Sequence, residues 1–224
     1  MSVITISREK GSQGSFIAAQ VAQILGYHFI DKSTIAKVCA EYGASEFGLI
    51  PGYVPDFWTN FNAQAQERRG LMVDMLNRVI QAFANASDLV ILGRSSFAVL
   101  RDYADVLNVR IQAPLAIRTK RVMERQKIAE QTRAENVVKE SDRVRSAFIE
   151  WFYGDRWDAS RSFDLVINTG KLSSELAIRC IVEVAKALPD KKTPGLHTTD
   201  VIQVDPILTS IVAKTLNPDV VHSH

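Results

Sequence analysis

The chain has 224 residues, 46% hydrophobic and 23% charged, with a net charge of +2. That length holds one sizeable α/β domain with a buried core, and the near-neutral balance excludes a global field for nucleic acid or a membrane surface. No apolar run nears the roughly 20 residues that span a bilayer; Cys39 and Cys180 lie far apart without metal-ligand spacing and read as free thiols, so a soluble cytoplasmic protein is expected.

In chain order, "VITIS" at 3–7 predicts a buried strand that runs into a loop with Gly11 and Gly14. A helix follows from about Ser15 and stops at Gly26. "YHFID" at 27–31 predicts a short strand, and residues 32–87 read as largely helical. The loop "FGLIPGYVPDF" at 47–57 breaks that region, because two prolines and two glycines exclude a continuous helix. "DLVILG" at 88–93, "VLNVRIQA" at 106–113 and "FDLVINT" at 163–169 read as further buried strands. Helical patterns separate them, which predicts a parallel sheet covered on both faces.

Residues 114–152 predict long charged helices, opened by Pro114 near a first helical position. "SSELAIRCIVEVAKAL" at 173–188 is amphipathic, and "PDKKTPG" reads as a linker. In the tail, "DPILTSIVAKTL" at 205–216 opens with an Asp cap and Pro206. So short a helix is marginal unless its apolar face is covered. It is expected to dock on its own domain or on a second subunit, the latter giving a homodimer through the tail.

A strand–glycine loop–helix unit binds phosphate because backbone N–H groups and the helix terminus converge on one anion. Against a standard phosphate-binding loop, Gly14 falls on the lysine and Ser15 on the Ser/Thr that ligates magnesium. Arg8 stands at the entrance and supplies a substitute charge. The alternative is a tight turn with a capping serine.

"VILGRSSFAVLRDYADVLNVRIQAPLAIRTKRVMER" at 90–125, taken with "ITISREKGSQG", "FIDKSTI" and "WFYGDRWDASRSFDLVINT", resembles the cytidylate-kinase-like family of P-loop proteins over residues 3–188. The resemblance implies a P-loop parallel sheet flanked by helices, a helical acceptor-binding region at 32–87 and lid-side helices at 118–157. Residues 189–224 form a linker and tail beyond them. It also implies ATP and magnesium as cofactors and CMP, dCMP or a related small nucleotide as acceptor. The family loop reads Ser-Arg-Glu-x-Gly-Ser-Gly-Gly, so a missing lysine is usual there. Here Gln13 replaces a glycine and Ser15 a basic residue, while Leu92 stands where many such kinases place an acid that holds magnesium through water.

The same resemblance assigns Arg8, Gly11, Ser12, Gln13, Gly14 and Ser15 to the donor nucleotide, with Ser15 also a magnesium ligand. Arg94 would grip the acceptor phosphate at the carboxyl end of the sheet, with Asp31 and Asp142 also on the acceptor side. Arg118, Arg121 and Arg125 share a helix face by their i, i+3, i+7 spacing. Arg121, Arg125 and Arg145 are taken as catalytic with Arg94, whereas Arg118 and Arg143 read as solvated charges. "INTG" at 167–170 would pass the donor adenine, and Trp157 reads as core or lid packing. The alternative is a nucleotide-sensing module with the same fold and little turnover.

Overall fold

The computed structural model describes residues 2–43, 63–154 and 156–217, and in the helix from residue 63 the side chains from residue 70 onward. The loop predicted at 47–57 lies outside the described residues. Five parallel strands form one sheet in the order β2-β3-β1-β4-β5. They are β1 (Val3–Arg8), β2 (His28–Ile30), β3 (Leu89–Leu92), β4 (Val106–Gln112) and β5 (Leu165–Asn168). Every strand therefore ends at the same edge, and the loops that follow all open there.

Alternate residues of each strand face opposite layers. Ile4, Ile6, Val90, Val109 and Ile111 pack under α1 (Gly14–Leu25) and a second helix, residues 174–186. Val3, Leu89, Ile91 and Val106 face the other layer, built from α2 (Lys32–Glu41) and α3 (Ala63–Ala86). On this second face the strands turn polar toward the loop edge. Thr5 donates to Asn108 Oδ1 at 2.7 Å, and Ser7 and Arg110 lie farther along, all four residues buried.

A single helical turn, α4 (Ser96–Val99), follows β3. The predicted long helices resolve into α5 (Leu115–Gln126) and α6 (Gln131–Tyr153), broken at Lys127, whose φ is 54°. Pro114 is the N-cap of α5 and so lies one place outside the helix. Val122 on α5 is buried against Ala134 and Val138 on α6. The helix at 174–186, α7 (Ser174–Lys186), is capped by the Ser173 hydroxyl, which accepts from Leu176 N at 3.2 Å.

The tail docks on its own chain. Its helix α8 (Pro206–Leu216) is capped by Asp205, whose carboxylate accepts from Ile207 N and Leu208 N. Leu208 and Val212 are buried among residues of α2 and α3. Covering two such side chains contributes about 3–5 kcal/mol, enough to hold a short helix that is marginal alone. A dimer through this helix would need its outward side, where Ile207 is 66% exposed. Among the described residues no helix is long and apolar enough to cross a membrane.

Candidate active site

At the carboxyl edge of the sheet the chain between β1 and α1 closes a tight loop. Gln13 takes the N-cap position of α1 with φ 65°, in the left-handed region that a glycine would enter freely. No side chain caps α1 and its first turn carries no acid. The first-turn N–H groups, which have no acceptor within a helix, are left for an anion.

Arg8 fills the space where a lysine is usual. A Cβ added at Gly14 would stand 2.5 Å from Arg8 Cβ, 3.0 Å from its Cγ and 3.4 Å from Ile111 Cβ. At the far end of the same side chain, a Cβ on Gly93 would collide with Arg8 Nη1. Two glycines thus form the groove in which Arg8 lies, and a lysine at position 14 would have to share that space with Arg8. The Arg8 guanidinium makes no hydrogen bond or ion pair with any described residue. Burial, then the nearby charges of Arg145 and Arg94, push its pKa down to about 10, against a smaller opposing pull from Asp31.

Gly93, Arg94 and Ser95 follow one another with φ of 75°, 58° and 59°. Two consecutive non-glycine residues in the left-handed region cost about 1–2 kcal/mol each, and such strain concentrates at functional sites. With Ile30 opposite Ile91 in the β2–β3 pairing, the turn stands beside the start of α2. Burial lowers the Arg94 pKa, opposed by Cys39 and then by Asp31, at the two ends of that helix. No described residue pairs with Arg94 by hydrogen bond or ion pair. Asp31 caps α2, its Oδ1 accepting from Ser33 N at 2.8 Å and Thr34 N at 3.0 Å. Burial alone would raise its pKa, but these bonds and those from the Ser33 and Thr34 hydroxyls outweigh it and lower it. The carboxylate that was expected on the acceptor side thus shapes the helix start beside Arg94.

Other predicted residues are committed elsewhere. Ser12 is fully buried, and its hydroxyl donates to Glu9 O at 2.9 Å while its carbonyl accepts from Thr169 Oγ1 at 2.9 Å, so its side chain is turned into the loop. Gln13 Oε1 accepts from Ser174 Oγ at 3.2 Å, which draws that side chain aside to α7. Arg121 donates to Gly11 O at 3.3 Å, Thr169 Oγ1 at 3.1 Å and Thr169 O at 2.9 Å. Its guanidinium ties the loop to the end of β5, a positioning role in place of the catalytic one expected. Arg125 is exposed, Arg145 half-buried, and both lie near enough to Lys10 to lower its pKa after burial itself. Lys10 was not among the expected site residues.

Beneath the loop lies an ionic network that the sequence reading missed. Glu9 accepts from Arg110 Nη2 at 3.2 Å and from Ala113 N at 3.0 Å, and its Oε2 lies 3.2 Å from Arg118 Nε. Arg118 also pairs with Asp142 on α6 at 2.7 Å, and Asp142 Oδ1 lies 3.8 Å from Arg145. Arg118, expected on a solvated face, is 7% exposed. A Cβ at Gly11 would come within 2.6 Å of its carbonyl oxygen, so the loop rests directly on α5. Arg110 stacks 4.3 Å above the Trp157 ring and donates to Trp157 O, while Trp157 Nε1 donates to Ser7 Oγ at 2.8 Å. Trp157 is therefore core, as expected.

Magnesium, which the resemblance implies, would find few protein ligands in this donor set. Ser15 is an exposed hydroxyl on the first turn of α1. Glu9 and Asp142 are ion-paired to arginines, and Asp31 stands among the positive charges of Arg8 and Arg94. Leu92, where an acid would serve, is 7% exposed and apolar. Magnesium keeps several waters and is held largely by substrate phosphates, so the Ser15 hydroxyl would hold it beside a bound nucleotide.

Comparison with known proteins agrees with the fold. A cytidylate kinase from Ignicoccus hospitalis is 28% identical over 187 residues, which cover 81% of this chain and 97% of that protein. One from Natronomonas pharaonis is 26% identical over 183 residues, covering 82% and 88%. The solved structure of an uncharacterized protein from Eubacterium ventriosum superposes with a TM-score of 0.63 at 22% identity, covering 84% of this chain and 99% of that one, a likeness of fold. The model of the cytidylate kinase-like family matches residues 3–171, and the chain belongs to that family.

Proposed function

We propose that this chain, a phosphotransferase of the nucleoside monophosphate kinase kind, uses ATP as donor and CMP, dCMP or a related small nucleotide as acceptor. One observation carries the reading. Two half-buried guanidiniums that pair with no described residue, Arg8 and Arg94, stand beside an uncapped helix start at the carboxyl edge of a parallel sheet. Buried cations persist where an anion completes them.

In this reading Arg8 and the loop amides hold the donor phosphates, and Arg94 grips the acceptor phosphate. An acceptor phosphate oxygen attacks the γ-phosphorus, the bond to the bridging oxygen breaks, and ADP leaves. Arg145 and Arg125 balance the charge spread over the transferred group. Residues 32–87 form the acceptor region and 118–157 the lid side. A second reading, a nucleotide-binding module of low turnover, draws on Gly14 and Leu92. Holding a ground-state phosphate needs less than stabilising a transition state.

Arg94→Ala tests the assignment. A charge-assisted contact contributes about 1.5–3 kcal/mol, so CMP affinity in titration calorimetry should fall tenfold or more. The melting temperature should hold, since Arg94 makes no hydrogen bond or ion pair with a described residue and alanine keeps the same backbone conformation. Unchanged CMP affinity removes Arg94 from the acceptor site. Turnover of ATP with a nucleotide panel decides between kinase and binding module.

A further inference from the structure

The tail lies outside the residues matched by the family, yet it is fastened to the wall of the acceptor side. Lys191 Nζ donates to Ala84 O at 2.6 Å and Ser87 O at 2.5 Å, closing the end of α3. The Asp105 carboxylate, fully buried ahead of β4, accepts from Thr199 N at 2.8 Å and Thr199 Oγ1 at 2.5 Å. Asn85 Nδ2 donates to Thr199 O at 3.1 Å, and His197 stacks on Tyr103 at 4.7 Å. From these anchors α8 lies against both α2 and α3, and Leu208 and Val212 share a core cluster with Ile35, Val38 and Cys39 of α2 and Leu76 of α3. β2 and β3 run side by side with Ile30 opposite Ile91, so Asp31, which opens α2, and the turn that carries Arg94 leave the sheet next to each other. The tail helix thus packs on the helix whose first turn stands beside the Arg94 turn.

We infer that α8 is a built-in clamp that sets the affinity for the acceptor nucleotide, with Leu208 and Val212 acting as positioning residues through α2 on Arg94. This rests on the kinase reading above. The phosphate loop is tied to α5, the end of β5 and α7, and meets the Arg94 turn only where Arg8 passes Gly93, so the clamp bears chiefly on one substrate. A helix that merely stabilised the fold would move both substrates together or neither.

The test uses the full chain with Leu208→Ala/Val212→Ala, and Ile207→Ala as the exposed control. The double variant should raise KM for CMP about five- to tenfold, keep KM for ATP and kcat within about twofold, and leave the control like wild type. Hydrogen exchange supplies a readout independent of turnover: amides of α2 should exchange at least tenfold faster in the double variant, with residues 9–15 unchanged. Parallel shifts in both KM values, or a lower melting temperature with CMP KM unchanged, overturn the clamp. If wild type turns over no nucleoside monophosphate, the kinase reading fails separately. The exchange pattern then decides: α2 loosened alone supports the mechanical coupling, and α2 unchanged overturns it.

Discussion

Glu9→Ala should lower stability by about 3–5 kcal/mol, the cost of breaking a buried ion pair from one side. The carboxylate compensates Arg110 and Arg118, whose side chains are 3% and 8% exposed, and it also accepts from Ala113 N. Removing it leaves two buried guanidiniums facing each other and an orphaned amide. Arg110 has no slack to absorb the loss, since its Nε already lacks a partner and burial lowers its pKa despite Glu9. For a chain of this size the melting temperature should fall by roughly 10 °C. Glu9→Gln keeps an acceptor without the charge and should fall between the variant and wild type. A calorimetric scan checks both, and a loss under about 1 kcal/mol would show that the network is dispensable.

Arg8→Ala should have the opposite signature, with binding lost and stability kept. Its guanidinium stands desolvated near two other arginines, and no described residue pairs with it. ATP affinity should drop between tenfold and a hundredfold, the range of about 1.5–3 kcal/mol for a charged contact. The melting temperature of the free protein should not fall. A pH series gives the sign. The folded pKa of about 10 lies below the ordinary arginine value of 12.5, so above about pH 10 the unfolded state binds the extra proton and wild type gains stability as pH rises. Any stability advantage of the variant at neutral pH should therefore shrink as pH climbs through about 10. An unchanged ATP affinity would remove Arg8 from the loop's chemistry.

The sheet was legible because apolar runs in a parallel strand read continuously, and even the short β2 emerged from "YHFID". The loop was legible from Gly11, Gly14 and Arg8. What stayed hidden were contacts between elements distant in sequence. Spacing places Arg118, Arg121 and Arg125 on one face of α5, but it does not say that the helix starts against the loop and then leaves it. Burial accordingly decays along the helix, from Arg118 at 7% exposed, through half-buried Arg121, to exposed Arg125. Arg110 carried a signal that could have been used, a charge inside an otherwise apolar strand, which demands a buried partner. Its partner Glu9 was matched only as part of a motif. Gly14 was read as a lost lysine, and only the path of the Arg8 side chain shows why glycine is required there.

That path is the centre of the account, and one titration addresses it. Gly14→Lys would install the residue that phosphate-binding loops usually carry. A lysine there would push its Cβ to 2.5 Å from Arg8 Cβ, an overpacking that costs about 1–3 kcal/mol, and would displace the guanidinium from its groove. ATP titrated into this variant should bind at least tenfold more weakly than to wild type, with a lower melting temperature, and removing the obstacle in Arg8→Ala/Gly14→Lys should restore part of the affinity. A Gly14→Lys protein that is as stable as wild type and binds ATP equally or more tightly would contradict the claim that Arg8 stands in the lysine's place.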